Sequence, residues 1–261
     1  MDLDDLVRDA LPVNEPYDGL VAEAYDVWLP PDGRYDDRDL YRDLIRAGDG
    51  PALELGCGNG RLLVGYVADG LDVDGVDSSA DMLAICRGHV EAAGQTVTLH
   101  HADWTSLALG RTYATLYNPA GSFSLLDDED DARAALRAWR SHLFPGGRLV
   151  ISMWTPAPER EGTTRPPWVW HVRRSATRAA DRVTFMVQQA VRDDHTAQVV
   201  HSLDRHEVWD AAGTLRTTYL RRHRIRWWTP DQLAELLRDC GYVDVEPVGS
   251  AREFLVHASA G

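Results

Sequence analysis

The spacing of apolar residues changes near residue 155 of the chain. From residue 51 to that point, short apolar runs alternate with segments whose apolar residues recur at helical spacing. This alternation is typical of a parallel sheet with helices on both faces. The predicted strands span residues 51–55, 71–76, 95–100, 113–117 and 148–153, and the predicted helices span 61–68, 80–92 and 128–143.

Beyond residue 155 the pattern favours strands without intervening helices. Residues 183–191, 198–209 and 215–226 predict three strands, which turns at 193–194 and 211–213 would make antiparallel. A helix is then predicted from Thr229, as the N-cap before Pro230, to Cys240. Strands at 242–245 and 254–258 follow that helix. The antiparallel block is therefore interpreted as an insertion into an α/β domain.

The first fifty residues have a different character from the rest. Residues 3–11 and 39–47 predict short helices, and prolines interrupt the aromatic segment between them. We interpret residues 1–50 as an N-terminal helical lid over a Rossmann-like domain. That domain is predicted to comprise residues 51–155 and 227–261, and the inserted residues 156–226 are predicted to form an acceptor pocket.

Composition and charge exclude several classes of protein. The 261 residues are 44% hydrophobic and 26% charged, the balance of a soluble globular protein. A formal net charge of −14 disfavours binding to nucleic acid. The N-terminus is acidic and no apolar run approaches a membrane span, which predicts a cytoplasmic protein without a membrane partner. Three widely spaced cysteines predict free thiols and no metal site.

A glycine-rich turn carries the candidate chemistry. Gly56, Gly58 and Gly60 follow the first predicted strand, and Asp77 ends the second, where a carboxylate can bind ribose hydroxyls. The G-x-G-x-G spacing differs from the dinucleotide pattern G-x-G-x-x-G, which disfavours a nicotinamide-dependent oxidoreductase. A purely structural turn is the other alternative. The pair at 103–104, aspartate then tryptophan, adds a carboxylate and an indole suited to an adenine ring.

Four segments together resemble the successive motifs of class I S-adenosylmethionine-dependent methyltransferases. They are ALELGCGNGRLL (52–63), VDGVDSSADML (73–83), ADW (102–104) and LFPGGRLVIS (143–152). The segment at 224–242 is similar to bacterial small-molecule methyltransferases of the amine, sugar and glycine types, which carry an inserted antiparallel sheet. The resemblance implies a class I, doubly wound, mostly parallel sheet. It also implies S-adenosylmethionine as cofactor, S-adenosylhomocysteine as product, and a nitrogen or oxygen of a small metabolite as acceptor.

The resemblance also implies the cofactor-binding residues. The glycine turn would contact the methionine portion, the end of the second strand the ribose, and the Asp-Trp pair the adenine. Residues after the fourth strand would line the sulfonium side, and two aromatic residues would close the lid. These residues are Tyr17, Trp28, Glu54, Gly56, Cys57, Gly58, Asp77, Ser78, Met82, Asp103, Trp104, Asn118, Ser122 and Phe123.

The inserted strands supply the candidate catalytic residues. With a period of two, His201 shares a face with apolar residues of its strand, as do Tyr219 and His223 of theirs. We expect these three side chains on one pocket wall, where one could act as base for a hydroxyl acceptor. The alternative is a protein core in which the polar ends of these side chains are hydrogen-bonded, because such a core has the same residue composition.

The charge of the insertion bears on the acceptor. Residues 165–226 carry a local balance of +6, which favours an acceptor with an anionic group, although solvated arginines are the alternative. A methyltransferase-like domain that binds without turnover also fits the sequence. The expected assembly is a monomer or a homodimer.

Overall fold

The structure is a computed structural model that describes residues 11–31, 36–157 and 169–261. The predicted helix at 3–11 therefore lies almost wholly outside the described residues. The helices are α1 (Leu20–Trp28), α2 (Arg38–Ala47), α3 (Leu63–Ala68), α4 (Ala80–Ala92), α5 (Glu129–Ser141) and α6 (Pro230–Asp239). The strands are β1 (Ala52–Leu55), β2 (Val73–Asp77), β3 (Leu99–His101), β4 (Tyr113–Asn118), β5 (Leu143–Trp154), β6 (His171–Arg178), β7 (Val183–Asp194), β8 (Val199–Trp209), β9 (Leu215–Arg226), β10 (Tyr242–Gly249) and β11 (Glu253–Ala260).

Seven strands form the central sheet in the order β3-β2-β1-β4-β5-β11-β10. The first five are mutually parallel, and β11 runs antiparallel to both of its neighbours. All four side chains of β1 are buried, because apolar clusters cover both faces of the sheet. Helices α5 and α6 contribute to one cluster, and helices α2, α3 and α4 to the other. The predicted doubly wound, mostly parallel α/β sheet is confirmed.

Two helix starts follow the expected capping chemistry. The backbone N–H of Met82 donates to Ser79 Oγ over 3.0 Å, which caps α4. Thr229 and Gln232 form a reciprocal capping box at the start of α6, with Pro230 in the first turn. These caps fix the two helices at the positions that the sequence predicts.

The second sheet has four antiparallel strands in the order β6-β7-β8-β9, one more than predicted. Strand β6 escaped prediction because, at this sheet edge, its side chains are half-buried or exposed and its residues are mostly polar. Strand β7 continues through the predicted turn at 193–194, and the chain turns at 195–198 instead. The predicted turn at 211–213 is present.

Other elements also differ from the sequence prediction. Helix α1 lies inside the proline-interrupted aromatic segment, for which no helix was predicted, and it buries Val21, Ala22 and Ala24. Strand β3 is only three residues long and lies at the edge of the sheet, so little apolar patterning marks it. Strand β5 begins at Leu143, before the Pro-Gly-Gly segment, because Leu143 pairs with Tyr113. Within the described part of the chain, no helix is long and apolar enough to cross a membrane.

Candidate active site

A cavity of about 550 Å³ is lined by the carboxyl ends of the parallel strands, by one face of the antiparallel sheet and by α1. Carboxyl ends of parallel strands are the usual ligand-binding edge of an open α/β sheet. The sequence-predicted residues that line this cavity are Tyr17, Trp28, Gly56, Gly58, Asp77, Ser78, Met82, Asp103, Trp104, Ser122 and His223. The structure therefore gathers most of the predicted site at one place.

The glycine turn and Asp77 form the floor of one end of the cavity. Gly56 and Gly58 have φ angles of 79° and 54°, in the left-handed region that favours glycine. The Gly58 N–H donates to Asp77 Oδ2 and the Ser79 N–H to Asp77 Oδ1, each over 2.9 Å. Burial raises the pKa of the Asp77 carboxyl, and these backbone donors act in the opposite direction. The carboxylate is thus fixed where the turn meets the cavity.

The same end of the cavity has the shape and chemistry of a nucleoside site. A Cβ added to Gly56 would lie 2.8 Å from Trp104 Cζ2, so the turn approaches the indole more closely than another residue would allow. Trp104 is braced edge-on by Trp139, with ring centroids 5.6 Å apart. A fixed carboxylate beside an indole face fits the ribose and adenine of S-adenosylmethionine, which supplies an activated methyl group when bound. The assignment of each residue to a portion of the cofactor stays a prediction.

Glu54 is not among the residues that line the cavity. Its side chain follows Ala52 on β1 and is buried among the residues that pack between the sheet and helices α2 to α4, where it is 2% exposed. The Tyr117 hydroxyl donates to Glu54 Oε2 over 3.0 Å. Burial raises the pKa of the Glu54 carboxyl to about 8. The structure therefore does not place Glu54 with the other implied cofactor-binding residues at the cavity, because the alternation of side chains along β1 turns this one into the core.

Asn118 and Phe123 also lie beneath the site instead of lining it. Asn118 Nδ2 donates to the Leu55 carbonyl oxygen over 2.8 Å, and Asn118 Oδ1 accepts from the Phe123 N–H over 2.8 Å. Both side chains are fully buried, and Phe123 packs against Trp139. Asn118 therefore joins the end of β1 to the segment after β4, and Ser122 reaches the cavity in their place.

The Cys57 side chain points into the core. It is 3% exposed, and the Cys57 N–H donates to the Val76 carbonyl oxygen over 3.0 Å. The neighbouring Cys86 thiol and burial raise the pKa of the Cys57 thiol. The Cys57 N–H is therefore already used within the protein and is not available for the predicted backbone contact with the cofactor.

The two predicted lid aromatics contact the antiparallel sheet. Trp28 stacks on His206 with ring centroids 5.7 Å apart and an interplanar angle of 26°. The Arg221 guanidinium lies over the Tyr17 ring, 4.3 Å from its centroid. Both aromatics thus line the cavity where it meets the antiparallel sheet, and their contact with the cofactor stays a prediction.

The prediction that His201, Tyr219 and His223 share one face is wrong. A bulge between Val208 and Trp209 shifts the pairing of β8 with β9 by one residue. His223 therefore lies opposite Ser202, and Tyr219 lies opposite His206. A one-residue shift moves every side chain of a strand to the other face of the pairing, which is why His201 is separated from the other two.

Of these three candidates, only His223 lines the cavity. His201 lies opposite Arg224 on the other face of the sheet. Tyr219 is 40% exposed, and its hydroxyl donates to Glu15 Oε2 over 2.9 Å. The structure therefore leaves His223 as the sequence-predicted catalytic candidate in the cavity, and its role stays a prediction.

Buried polar residues of β8 and β9 cover the antiparallel wall of the cavity, most of them outside the predicted catalytic and cofactor-binding set. Asp204 and Arg221 are register partners on β8 and β9, and both line the cavity with His206 and His223. Asp204 Oδ1 accepts from Gln189 Nε2 over 2.9 Å and from Ser202 Oγ over 3.2 Å. Pairing β8 with β9 residue by residue from the turn at 211–213 would identify the face that lines the cavity only if the bulge were included.

The two imidazoles of this wall are held neutral. Burial lowers the pKa of His206 to about 4 and that of His223 to about 3. The Arg221 guanidinium lowers both pKa values further. His223 Nε2 lies 3.7 Å from Asp204 Oδ2. At neutral pH this wall therefore presents a carboxylate, a guanidinium and two uncharged rings.

Comparison with known proteins identifies the domain. Residues 52–147 match a family described as a methyltransferase domain. The chain is 32% identical over 148 residues to dTDP-3-amino-3,6-dideoxy-alpha-D-glucopyranose N,N-dimethyltransferase of Streptomyces fradiae, over 53% of this chain and 54% of that protein. It is 28% identical over 199 residues to dTDP-3-amino-3,4,6-trideoxy-alpha-D-glucopyranose N,N-dimethyltransferase of Streptomyces venezuelae, over 68% of this chain and 81% of that protein. The first of these matches spans about half of the relative's length.

A solved structure agrees with the fold over nearly the whole chain. The amino pentose methyltransferase of Micromonospora echinaspora, solved with S-adenosylmethionine bound, aligns with a TM-score of 0.66 at 24% identity. The alignment covers 95% of this chain and 99% of that one. The motifs, the strand order and these similarities agree. Residues 52–147 thus match a methyltransferase domain, and the chain has the fold of solved methyltransferases that bind S-adenosylmethionine.

Proposed function

We propose that the protein transfers the methyl group of S-adenosylmethionine to the nitrogen of a small-molecule amine that also carries an anionic group. The observation that carries this proposal is the juxtaposition of Asp204 and Arg221 on the cavity wall formed by the antiparallel sheet. The names of both Streptomyces relatives describe N,N-dimethylation of a dTDP-linked amino sugar, which supports an amine of this class.

Asp204 suits a nitrogen acceptor. An amine nitrogen becomes positively charged as it takes a methyl group, and a nearby carboxylate stabilises that charge. Asp204 Oδ2 lies beyond hydrogen-bond distance of His223, whereas Asp204 Oδ1 is already bonded to Gln189 and Ser202. A carboxylate held in this way can receive an N–H of the acceptor without first losing a partner.

Arg221 suits an anionic group on the same acceptor. The side chain is 2% exposed, and its Nη2 donates to the Glu15 carbonyl oxygen. Its Nε and Nη1 atoms have no hydrogen-bond partner among the described residues. Buried guanidinium groups are normally paired, so two unused donors at a cavity wall favour a carboxylate or phosphate ligand. The diphosphate of a dTDP-linked sugar has this chemistry.

Replacement of Arg221 tests the acceptor. We expect Arg221→Met to raise the KM of a dTDP-linked amino sugar on the order of 10-fold to 100-fold, the loss of a charged hydrogen bond. Arg224→Met is the matched control, because Arg224 is on the other face of β9 and pairs with Asp127 over 3.4 Å. S-adenosylhomocysteine formation gives the rates, and cofactor affinity verifies that both variants fold. Equal KM values for the variant and the wild type would argue against an anionic acceptor group.

We also propose roles for the two segments outside the Rossmann-like domain. Residues 1–50 act as a lid, and residues 156–226 provide the acceptor wall of the S-adenosylmethionine-binding domain. The acidic balance of the chain disfavours nucleic-acid partners. The proposal also includes a cytoplasmic protein that is a monomer or a homodimer. Slower proteolysis of residues 11–31 upon addition of S-adenosylhomocysteine would support the lid.

A further inference from the structure

His206 is a buried polar side chain of the cavity wall that makes no hydrogen bond through its ring nitrogens within the described part of the chain. The residue is 5% exposed and lines the cavity. Neither Nδ1 nor Nε2 has a hydrogen-bond partner among the described residues. The large majority of buried polar side-chain atoms are hydrogen-bonded, so a buried imidazole with both nitrogens unused points to a ligand that completes it.

The position of the His206 ring is fixed by its neighbours. Strand β8 is an inner strand, and His206 lies between Val187 on β7 and Tyr219 on β9. Trp28 stacks on one face of the ring. Trp28 is itself held, because its Nε1 donates to the Phe185 carbonyl oxygen over 3.3 Å. A ring held on an inner strand and stacked in this way can present its nitrogens in one defined direction.

The surroundings also fix the protonation state of His206. Burial, Arg221 and His223 disfavour the charged ring, and only Asp204 favours it. The ring is therefore neutral at physiological pH, with one N–H donor and one nitrogen lone pair. A neutral ring can accept a hydrogen bond from an amine N–H, which a protonated ring cannot.

We propose that the neutral His206 ring accepts a hydrogen bond from the N–H of the methyl acceptor and so directs the nitrogen lone pair toward the methyl group. This proposal rests on the proposed function. In the transfer, the new N–C bond forms as the S–C bond breaks, and the electron pair of the S–C bond stays on sulfur. The nitrogen then carries a positive charge, and its proton passes to water when the product leaves.

The proposal limits the substrates to amines that keep an N–H. A primary amine has two such hydrogens and a secondary amine has one, so both can be held by His206. A tertiary amine has none. Methylation should therefore proceed from the primary to the tertiary amine and stop there, without a quaternary ammonium product.

Two His206 variants separate hydrogen bonding from ring stacking. His206→Phe keeps a ring against Trp28 but cannot accept a hydrogen bond, and His206→Gln restores an acceptor oxygen. We expect His206→Phe to lower kcat on the order of 10-fold or more, with the affinity for S-adenosylhomocysteine within about two-fold of the wild type. His206→Gln should recover part of that loss. His195→Phe is the matched control, because His195 packs on Trp227 and does not line the cavity.

Product analysis with the wild-type protein gives a test that needs no variant. Incubation with a dTDP-linked amino sugar should yield mono- and dimethylated products, and the dimethylated sugar should not react when supplied as substrate. Conversion to a quaternary ammonium, or a kcat for His206→Phe within two-fold of the wild type, would overturn the role of His206 and leave the proposed function unaffected. A wild-type protein that binds S-adenosylhomocysteine and methylates none of the amines would overturn the proposed function, and the role of His206 with it.

Discussion

Glu54→Gln is the substitution that most sharply separates the core of this protein from its site. The resemblance to methyltransferases implies that Glu54 lies near the cofactor, whereas the structure buries it beneath the sheet with Tyr117. Glutamine has nearly the same shape and its amide oxygen can still accept from the Tyr117 hydroxyl. The substitution therefore removes an ionisable group with little change in packing.

The expected effect follows from the pKa of Glu54. Burial raises it from 4.5 to about 8, while the Arg61 guanidinium lowers it to a smaller extent. A carboxyl whose pKa is raised in the folded state stabilises that state below its unfolded pKa, and this stabilisation is lost as the pH rises through the folded pKa. With about 1.4 kcal/mol per pKa unit, the loss between about pH 5.5 and pH 8.5 is about 3 kcal/mol of unfolding free energy.

Urea unfolding at these two pH values measures the effect directly. The free energy of unfolding of the wild type should fall by about 3 kcal/mol more than that of Glu54→Gln over this interval. Glu91→Gln, at an exposed position of α4, is the matched control and should follow the wild type. Identical pH dependence of Glu54→Gln and the wild type would refute the reasoning. A weakened affinity of Glu54→Gln for S-adenosylhomocysteine would instead return Glu54 to the cofactor site.

Two further substitutions test the turn and its support. Gly56→Ala should destabilise the fold on the order of 1–3 kcal/mol and weaken cofactor binding, because the φ angle of Gly56 is 79° and the added Cβ would clash with Trp104. Urea unfolding measures the loss of stability, and calorimetric titration measures the loss of cofactor affinity. Asn118→Ala should cost on the order of 2–4 kcal/mol in urea unfolding, since it strands the Leu55 carbonyl oxygen and the Phe123 N–H; a change below 0.5 kcal/mol would contradict their pairing with Asn118.

The sequence predicted those parts of the molecule that depend on local patterning. The central strands and the cap at Thr229 follow from apolar periodicity and from side-chain hydrogen bonds within one turn. The position of Asp77 beside the glycine turn could be predicted because the carboxyl ends of neighbouring parallel strands lie at the same edge of the sheet. These features need no knowledge of distant contacts.

The parts that escaped prediction depend on pairing between distant residues. The face of β8 that meets the cavity is set by a bulge in its pairing with β9, and no residue type in either strand marks that bulge. The position of His206 and Arg221 on the cavity wall therefore became visible only in the structure. Glu54 and Asn118 carry the residue types of a binding site, yet their burial against Tyr117 and Phe123 depends on how the layers pack.

Calorimetric titration with S-adenosylhomocysteine tests the central claim of a cofactor site at the glycine turn most directly. The wild type should bind one molecule per chain. Asp77→Asn should bind it on the order of 10-fold or more weakly, because a charge-assisted contact to the ribose is lost. Ser250→Ala is the control, since Ser250 lies in the loop between β10 and β11 and does not line the cavity. Absence of binding by the wild type, or equal affinity of the wild type and Asp77→Asn, would contradict the account.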